Sequence, residues 1–183
     1  MKKIFVIFLS ICVYFSNLNA TEIDNIINHF KKVENLSFSF KQNINNEEEE
    51  GKCIIEYPKK IYCLYDNNNK KLLVSDGKSL VIKNQRLNQF YIYPIEKTAL
   101  NLILDKNFLI SKITKSSMDL IDDRYYRFQF VENENSINIF FDRNTFNLIG
   151  WQTLDLYQNL SITYINSISK NKKLKKNLFK LPI

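Results

Sequence analysis

Three glycines, three prolines, three cysteines and a single histidine in 183 residues remove several classes of function at once. Gly51, Gly77 and Gly150 each stand alone, so no glycine-rich loop is present to cradle a phosphate. His29 has no nucleophile set beside it by any motif, which leaves no nucleophile–base pair for catalysis. Cys53, Cys63 and His29 make a poor ligand set, and no metal site is expected. The acidic run Glu47–Glu50 lacks the alternating spacing of a calcium loop and reads as a solvated turn, as does Asp122–Asp123. No enzyme, no cofactor and no metal follow from these residues. The net charge of +7 comes mainly from lysine in a chain rich in Asn and Ile. That is a compositional bias, and no groove-reading motif accompanies it, so nucleic acid is not an expected partner. The basic stretch "KNKKLKKNLFK" near the end reads as a solvated terminus.

Long hydrophobic runs are also missing. Ile4–Phe15 is apolar apart from Ser10 but shorter than the roughly 20 residues that span a bilayer. Lys2 and Lys3 precede it, and a short polar stretch leads on to Ala20. This order predicts a secretory signal peptide over 1–20 and one exported domain over 21–183. Lipidation at Cys12 does not fit, because Ile11 is not small and the apolar run continues past the cysteine. The expected product is a soluble chain in an oxidising compartment, with Cys53 and Cys63 its only cysteines.

What is present is periodicity. In "TEIDNIINHFKKV", Ile23, Ile26, Ile27, Phe30 and Val33 fall on one stripe, with Thr21 and Asp24 at capping-box spacing, which predicts a helix. The period then changes to two. "LSFSFKQ" places Leu36, Phe38 and Phe40 on one face, and "CIIEYPKKIYCLY" folds back at Pro58. There Cys53, Ile55 and Tyr57 share a face, as do Ile61, Cys63 and Tyr65, while Ile54, Tyr62 and Leu64 oppose them. "LLVSDGKSLVI" turns at Asp76-Gly77, a strong hairpin signal. "QFYIYP", "RYYRFQFVE", "SINIFFD", "NLIGWQTLDL" and "LSITYIN" complete a meander of roughly ten antiparallel strands. One short helix interrupts it, "EKTALNLILDKN", capped by Thr98 with Leu100, Ile103 and Leu104 as its stripe.

Two registers are open to the cysteine hairpin. If the indices pair around Pro58, Cys53 and Cys63 face each other and can bridge. If the loop spans Pro58 to Lys60, they sit diagonally, with Cβ atoms roughly 7 Å apart, too far to bond. The second register suits an ordinary turn better and leaves two buried thiols.

The sheet carries more apolar side chains than one core face needs, among them Phe38, Phe40, Ile55, Tyr57, Ile61, Cys63, Tyr65, Leu73, Leu80, Ile82, Phe90 and Ile92. Either they fill an ordinary sandwich-like core, or the sheet curves round a hollow with the helices as its cover and an apolar ligand inside.

"FKQ", "GKCIIEYPKKIYCLY", "LLVSDGKSLVIKNQRLNQ" and "TALNLIL" resemble, in that order, the outer-membrane lipoprotein carrier family, LolA. "GWQTLDLYQNLSITYIN" and the closing "LFKLPI" resemble its C-terminal part. The resemblance implies an α+β, mainly β fold: an unclosed antiparallel β-barrel whose mouth is covered by helices over an apolar cavity. It implies a periplasmic monomer that takes acylated lipoproteins from an inner-membrane ABC-type complex to an outer-membrane receptor. The cavity would be lined by Phe38, Phe40, Ile55, Tyr57, Ile61, Cys63, Tyr65, Leu73, Leu80, Ile82, Phe90, Leu100 and Ile103, the surplus face of the hairpin among them. Family members commonly carry Arg before the hairpin proline as a latch for the lid, where this chain has Tyr57. Their lid motif reads Thr-Pro-Leu, here Thr98, Ala99 and Leu100. A lipid-binding or envelope-sensing module on the same half-barrel, without a shuttle role, is the alternative.

Overall fold

The computed structural model describes residues 21–132, 135–155 and 158–183; the segment read as a signal peptide, 1–20, lies outside them. Helix α1 (residues 21–31) buries Ile26, Ile27 and Phe30, with Val33 just beyond its end. Six strands follow: β1 (Asn35–Ile44), β2 (Glu47–Glu56), β3 (Lys60–Tyr65), β4 (Lys71–Asp76), β5 (Ser79–Asn84) and β6 (Gln89–Pro94). A short 3-10 turn, Ile95–Lys97, leads into α2 (Leu100–Ile103) and α3 (Lys106–Ile113). The chain then returns through β7 (Met118–Ile121), β8 (Tyr125–Glu132), β9 (Asn135–Asp142), β10 (Leu148–Leu154) and β11 (Leu160–Lys170).

All of these strands form one antiparallel sheet in the order β6-β5-β4-β3-β2-β1-β11-β10-β9-β8-β7. β1 pairs with β11, so the first and last strands meet in the middle. β6 and β7 are the two edges, and the sheet is a mainly β half-barrel that never closes. Curvature gives it a concave face, and the helices lie in that concavity. Phe30 of α1 meets Phe141 and Tyr57 edge-on, each at 5.7 Å, and Phe141 continues to Phe128 at 5.9 Å. Phe108 of α3 packs on Phe130 of β8 at 5.9 Å, and Lys112 reaches Glu132 at 2.6 Å. The Lys106 ammonium donates to the Lys31 and Val33 carbonyls, satisfying the C-terminal end of α1.

Several sequence-based expectations need correction. The strands number eleven among the described residues, because β7 is too short and mixed to show a period. Helix α3 also escaped, since Lys106–Ile113 is only eight residues long and its apolar residues are a run of three, Phe108–Ile110, and a lone Ile113. Glu47–Glu50 is strand, not turn: it extends β2, and the turn is Asn45–Asn46, both with positive φ as a two-residue hairpin loop demands. Thr98 does not cap α2. Its hydroxyl donates to the Ile95 carbonyl and closes the 3-10 turn, while Ala99 holds the cap position.

The cysteines do form a disulfide. Glu56 pairs with Lys60 and Cys53 with Cys63, so the loop is Tyr57–Lys59 with Pro58 at its centre. Lys59, at φ 65°, supplies the left-handed residue that closes so short a loop. Cys53 and Cys63 therefore stand directly opposite, 4.1 Å apart at Cα, and are bridged. Gly51 follows on the same face. A Cβ there would lie 2.2 Å from the Leu64 carbonyl oxygen and 3.0 Å from the Phe40 ring, so only glycine leaves Phe40 and Tyr65 room to meet at 4.9 Å.

His29 ties α1 to β11 and to the turn before β10. Its Nε2 lies 2.7 Å from Lys170 Nζ, and that ammonium also donates to Asn147 Oδ1 at 2.8 Å. Burial first, and the Lys170 charge second, hold the imidazole below its ordinary value of 6.5. A neutral ring accepts from the ammonium, whereas a protonated ring opposes it. The folded state then binds the proton less readily than the unfolded chain, so stability rises with pH across this window. We expect stability to be level above about pH 6.5 and to fall as pH drops below it. His29→Gln should flatten that fall in urea titrations run at pH 5 to 8, and an unchanged slope would mean that other groups carry it.

Candidate functional site

The concave faces of β1 to β5 are apolar along most of their length, but the helices do not fill them. α1 and α3 pack over β8 and β9, which leaves a hollow above β1, β3, β4, β5 and β10 with α2 across one end. The cavity measures about 250 Å³. Phe38, Phe40, Ile61, Cys63, Tyr65, Leu73, Leu80 and Ile82 form its walls, and Thr98, Ala99 and Leu100 form its cover. These positions alternate along their strands and meet in register. Ile61 is opposite Ser75, Cys63 opposite Leu73, and Leu73 opposite Ile82.

Four residues expected at the cavity lie elsewhere. Ile55 and Ile103 are fully buried in the core packing beside it. Tyr57 borders a separate polar groove with Glu34, Asn35, Pro58 and Lys106. Phe90 stands on the outer face of β6, 43% exposed, and Ile92 shares that face. The reason is register: Leu80 pairs with Tyr93 and Ile82 with Tyr91, so the tyrosines of β6, not Phe90, share the face of the cavity-lining residues. The hairpin needs a related correction. Core and cavity share one concave face, while Ile54, Tyr62 and Leu64 are on the convex side and are not among the residues that line this cavity.

The sequence reading also missed a polar end. Gln42 and Ile44 of β1, Thr153 of β10, and Ser161 and Thr163 of β11 enclose the end of the cavity farthest from α2, with Trp151 beside them. Gln42 Nε2 donates to Ser161 Oγ and to Thr163 Oγ1, both at 3.0 Å. Lys71 closes one side of this end, paired with Glu49 and lying 3.8 Å over the Tyr65 ring. Burial, and then the Glu49 charge, push the Tyr65 phenol well above its ordinary value, so it stays neutral. The alternation of Ser161, Thr163 and Ile165 in "LSITYIN" was the available signal. It has no meaning until β11 is known to pair with β1.

The lid is joined to the hairpin through the backbone. Lys59 N donates to the Leu104 carbonyl at 2.9 Å, and Lys59 Nζ lies 3.9 Å from Asp105 Oδ2. Tyr57, the latch position, contributes no such bond: its hydroxyl is buried and has no partner among the described residues. Burial alone raises its pKa far above the ordinary value. Tyr57→Phe should therefore leave stability unchanged or raise it by about 1 kcal/mol, since a buried unpaired hydroxyl is unfavourable. Urea unfolding measures this, and a clear loss of stability would reveal a partner for the hydroxyl.

Among the described residues no three of His, Cys, Asp and Glu gather as a metal site, and no helix is long and apolar enough to cross a membrane. The arrangement can hold an apolar ligand.

Comparison with known proteins agrees with this geometry. No curated protein matches the chain. Solved structures with the same fold include an uncharacterized conserved protein from Thermus thermophilus, with TM-score 0.53, 9% identity, and coverage of 88% of this chain and 93% of that one. A domain from Vibrio parahaemolyticus, described as a putative outer membrane lipoprotein-sorting protein domain, gives TM-score 0.51 at 6% identity over 90% and 97%. The Pseudomonas aeruginosa MucA/MucB complex gives 0.50 at 9% identity, over 89% of this chain and only 60% of that one. At such identities these likenesses establish the fold alone. The model of the outer membrane lipoprotein carrier protein LolA matches residues 31–182, nearly the whole described domain, and the chain belongs to that family of non-enzymatic carriers.

Proposed function

We propose that this protein carries acylated lipoproteins through the periplasm, from an inner-membrane ABC-type complex to an outer-membrane receptor. The apolar cavity beneath α2 carries the reading. Each exposed acyl methylene costs about 0.8 kcal/mol in water, so a lipoprotein cannot cross an aqueous space with its chains uncovered. A carrier has to cover them and still release them, which a preformed hollow with a movable cover achieves without chemistry. At about 250 Å³ the cavity is smaller than the roughly 300–1,000 Å³ of typical ligand sites. We take this as the closed form, and loading requires α2 to move.

The segment that has to move is lightly held. Leu100 and Leu102 are only partly buried, and α2 is a single turn without a side-chain cap. Opening would uncover Ile103 and Leu104, both fully buried, and incoming acyl chains would replace the contacts those residues lose. Cleavage after Ala20 and release into the periplasm belong to the same proposal, supported by the charged start, the short apolar run and the disulfide. The alternative is a lipid-binding or envelope-sensing module on the same half-barrel, and the likeness to the MucA/MucB complex extends to the fold and no further.

The test is to express the full chain with its own leader, purify it from the periplasm without detergent, and analyse bound material by mass spectrometry. Co-purified N-terminal peptides bearing S-diacylglyceryl cysteine are expected. Free phospholipid with no acylated peptide would favour a lipid-binding module over a carrier.

A further inference from the structure

The polar end of the cavity has an imbalance in its hydrogen bonds. Ser161, Thr163 and Thr153 are buried, at 4%, 3% and 6% exposure. Gln42 Nε2 donates to the first two hydroxyl oxygens, so each of those oxygens already accepts and its own hydrogen must point elsewhere. Among the described residues none of the three hydroxyls donates to an acceptor in the protein. Register holds them together. Gln42 is opposite Thr163, Ile44 opposite Ser161, and Thr153 opposite Ser161 from the other side. The result is a cluster of hydroxyls at one end of the cavity beside Gln42, where Lys71 and Asp155 also line the wall. Their hydrogens are free to turn toward the cavity, and a ligand that brings acceptor oxygens gives them partners.

We propose that this collar binds the carbonyl oxygens of the ester or amide linkages that join acyl chains to their head group. The inference rests on the acyl-binding reading above and adds an orientation to it. The linkage sits at Thr163 and Ser161, the head group leaves past Ile44 and Lys71, and the chain ends run toward Leu80 and Leu100 beneath the lid. Glutamine is suited to hold the collar, because one amide group fixes two hydroxyls from the same strand.

Two probes of equal chain length separate the collar from the hollow: 1-monopalmitoyl glycerol, which has the ester carbonyl, and 1-O-hexadecyl glycerol, which lacks it. Delipidated full chain should bind the ester roughly tenfold more tightly than the ether, the effect of one or two neutral hydrogen bonds. The Ser161→Ala/Thr163→Val variant, checked for folding by circular dichroism, should lose that preference. Equal affinity of the wild type for both probes would overturn the collar while leaving the acyl cavity standing. That comparison needs no variant. Failure of both probes to bind would overturn the acyl-binding reading and the collar with it.

Discussion

Ile61→Asp is expected to abolish binding of acyl chains, with a loss of at least about a hundredfold. Ile61 is 2% exposed and faces the cavity from β3. A carboxylate there has no cation or donor prepared for it, and burying it costs several kcal/mol unless it takes up a proton. An acyl chain would have to pack against that group or against the water it retains. About 3 kcal/mol corresponds to more than a hundredfold in affinity. Because Ile61 also belongs to the core, Ile82→Asp serves as its companion: Ile82 lines the same cavity but is only half-buried, so folding should survive. Leu64→Asp is the control, since Leu64 is on the convex side of the same strand at 39% exposure. Binding of an apolar dye, measured at matched circular dichroism, should fall for Ile61→Asp and Ile82→Asp and hold for Leu64→Asp. Equal losses in all three would place the ligand somewhere other than the concave face.

The largest stability effect should come from Phe141→Ala. Phe141 is fully buried and is the ring through which α1 reaches β8, touching Phe30 on one side and Phe128 on the other. Truncation removes both edge-to-face contacts and leaves a cavity that the stiff sheet cannot close. Phe→Ala changes of this kind cost about 3–5 kcal/mol, which corresponds to a Tm lower by roughly 6–20 °C in a domain of this size. Val131→Ala, at a site 63% exposed on the neighbouring strand β8, should stay within about 0.5 kcal/mol. A shift of only a few degrees for Phe141→Ala would mean that α1 is held mainly by other contacts. The His29–Lys170–Asn147 cluster would be the first to examine.

How much was legible differs from segment to segment. The stripe of α1, the inward faces of β1 to β5 and a hairpin between "LLVSD" and "SLVI" could be read directly, because each depends on a local period or a local backbone preference. The turn itself falls one residue later than Asp76-Gly77, since Asp76 ends β4 and the loop is Gly77–Lys78. β6 could not. "QFYIYP" is apolar on both faces, so its alternation has no contrast, and only pairing with β5 set Tyr91 and Tyr93 on the concave side and Phe90 on the outer one. The acidic start of β2 misled in the opposite way. Four consecutive glutamates look like a solvated loop, yet in the structure they form the end of a strand beside β1, where Lys41 lies 3.0 Å from Glu48.

The sequence by itself determined the class of the molecule: a helix, a long antiparallel meander, an excess of apolar inward positions, and no residues for catalysis. These follow from side-chain period and from composition, which act within a few residues of each other. Tertiary structure decided what no local signal contains. The turn centred on Pro58 set the register that brings Cys53 to Cys63. The pairing of β1 with β11, strands far apart in the chain, set Gln42 beside Ser161 and Thr163 and gave an apolar hollow one polar end. Strand register is fixed by the pairing of whole strands, and a shift of one residue would turn every one of these side chains to the opposite face.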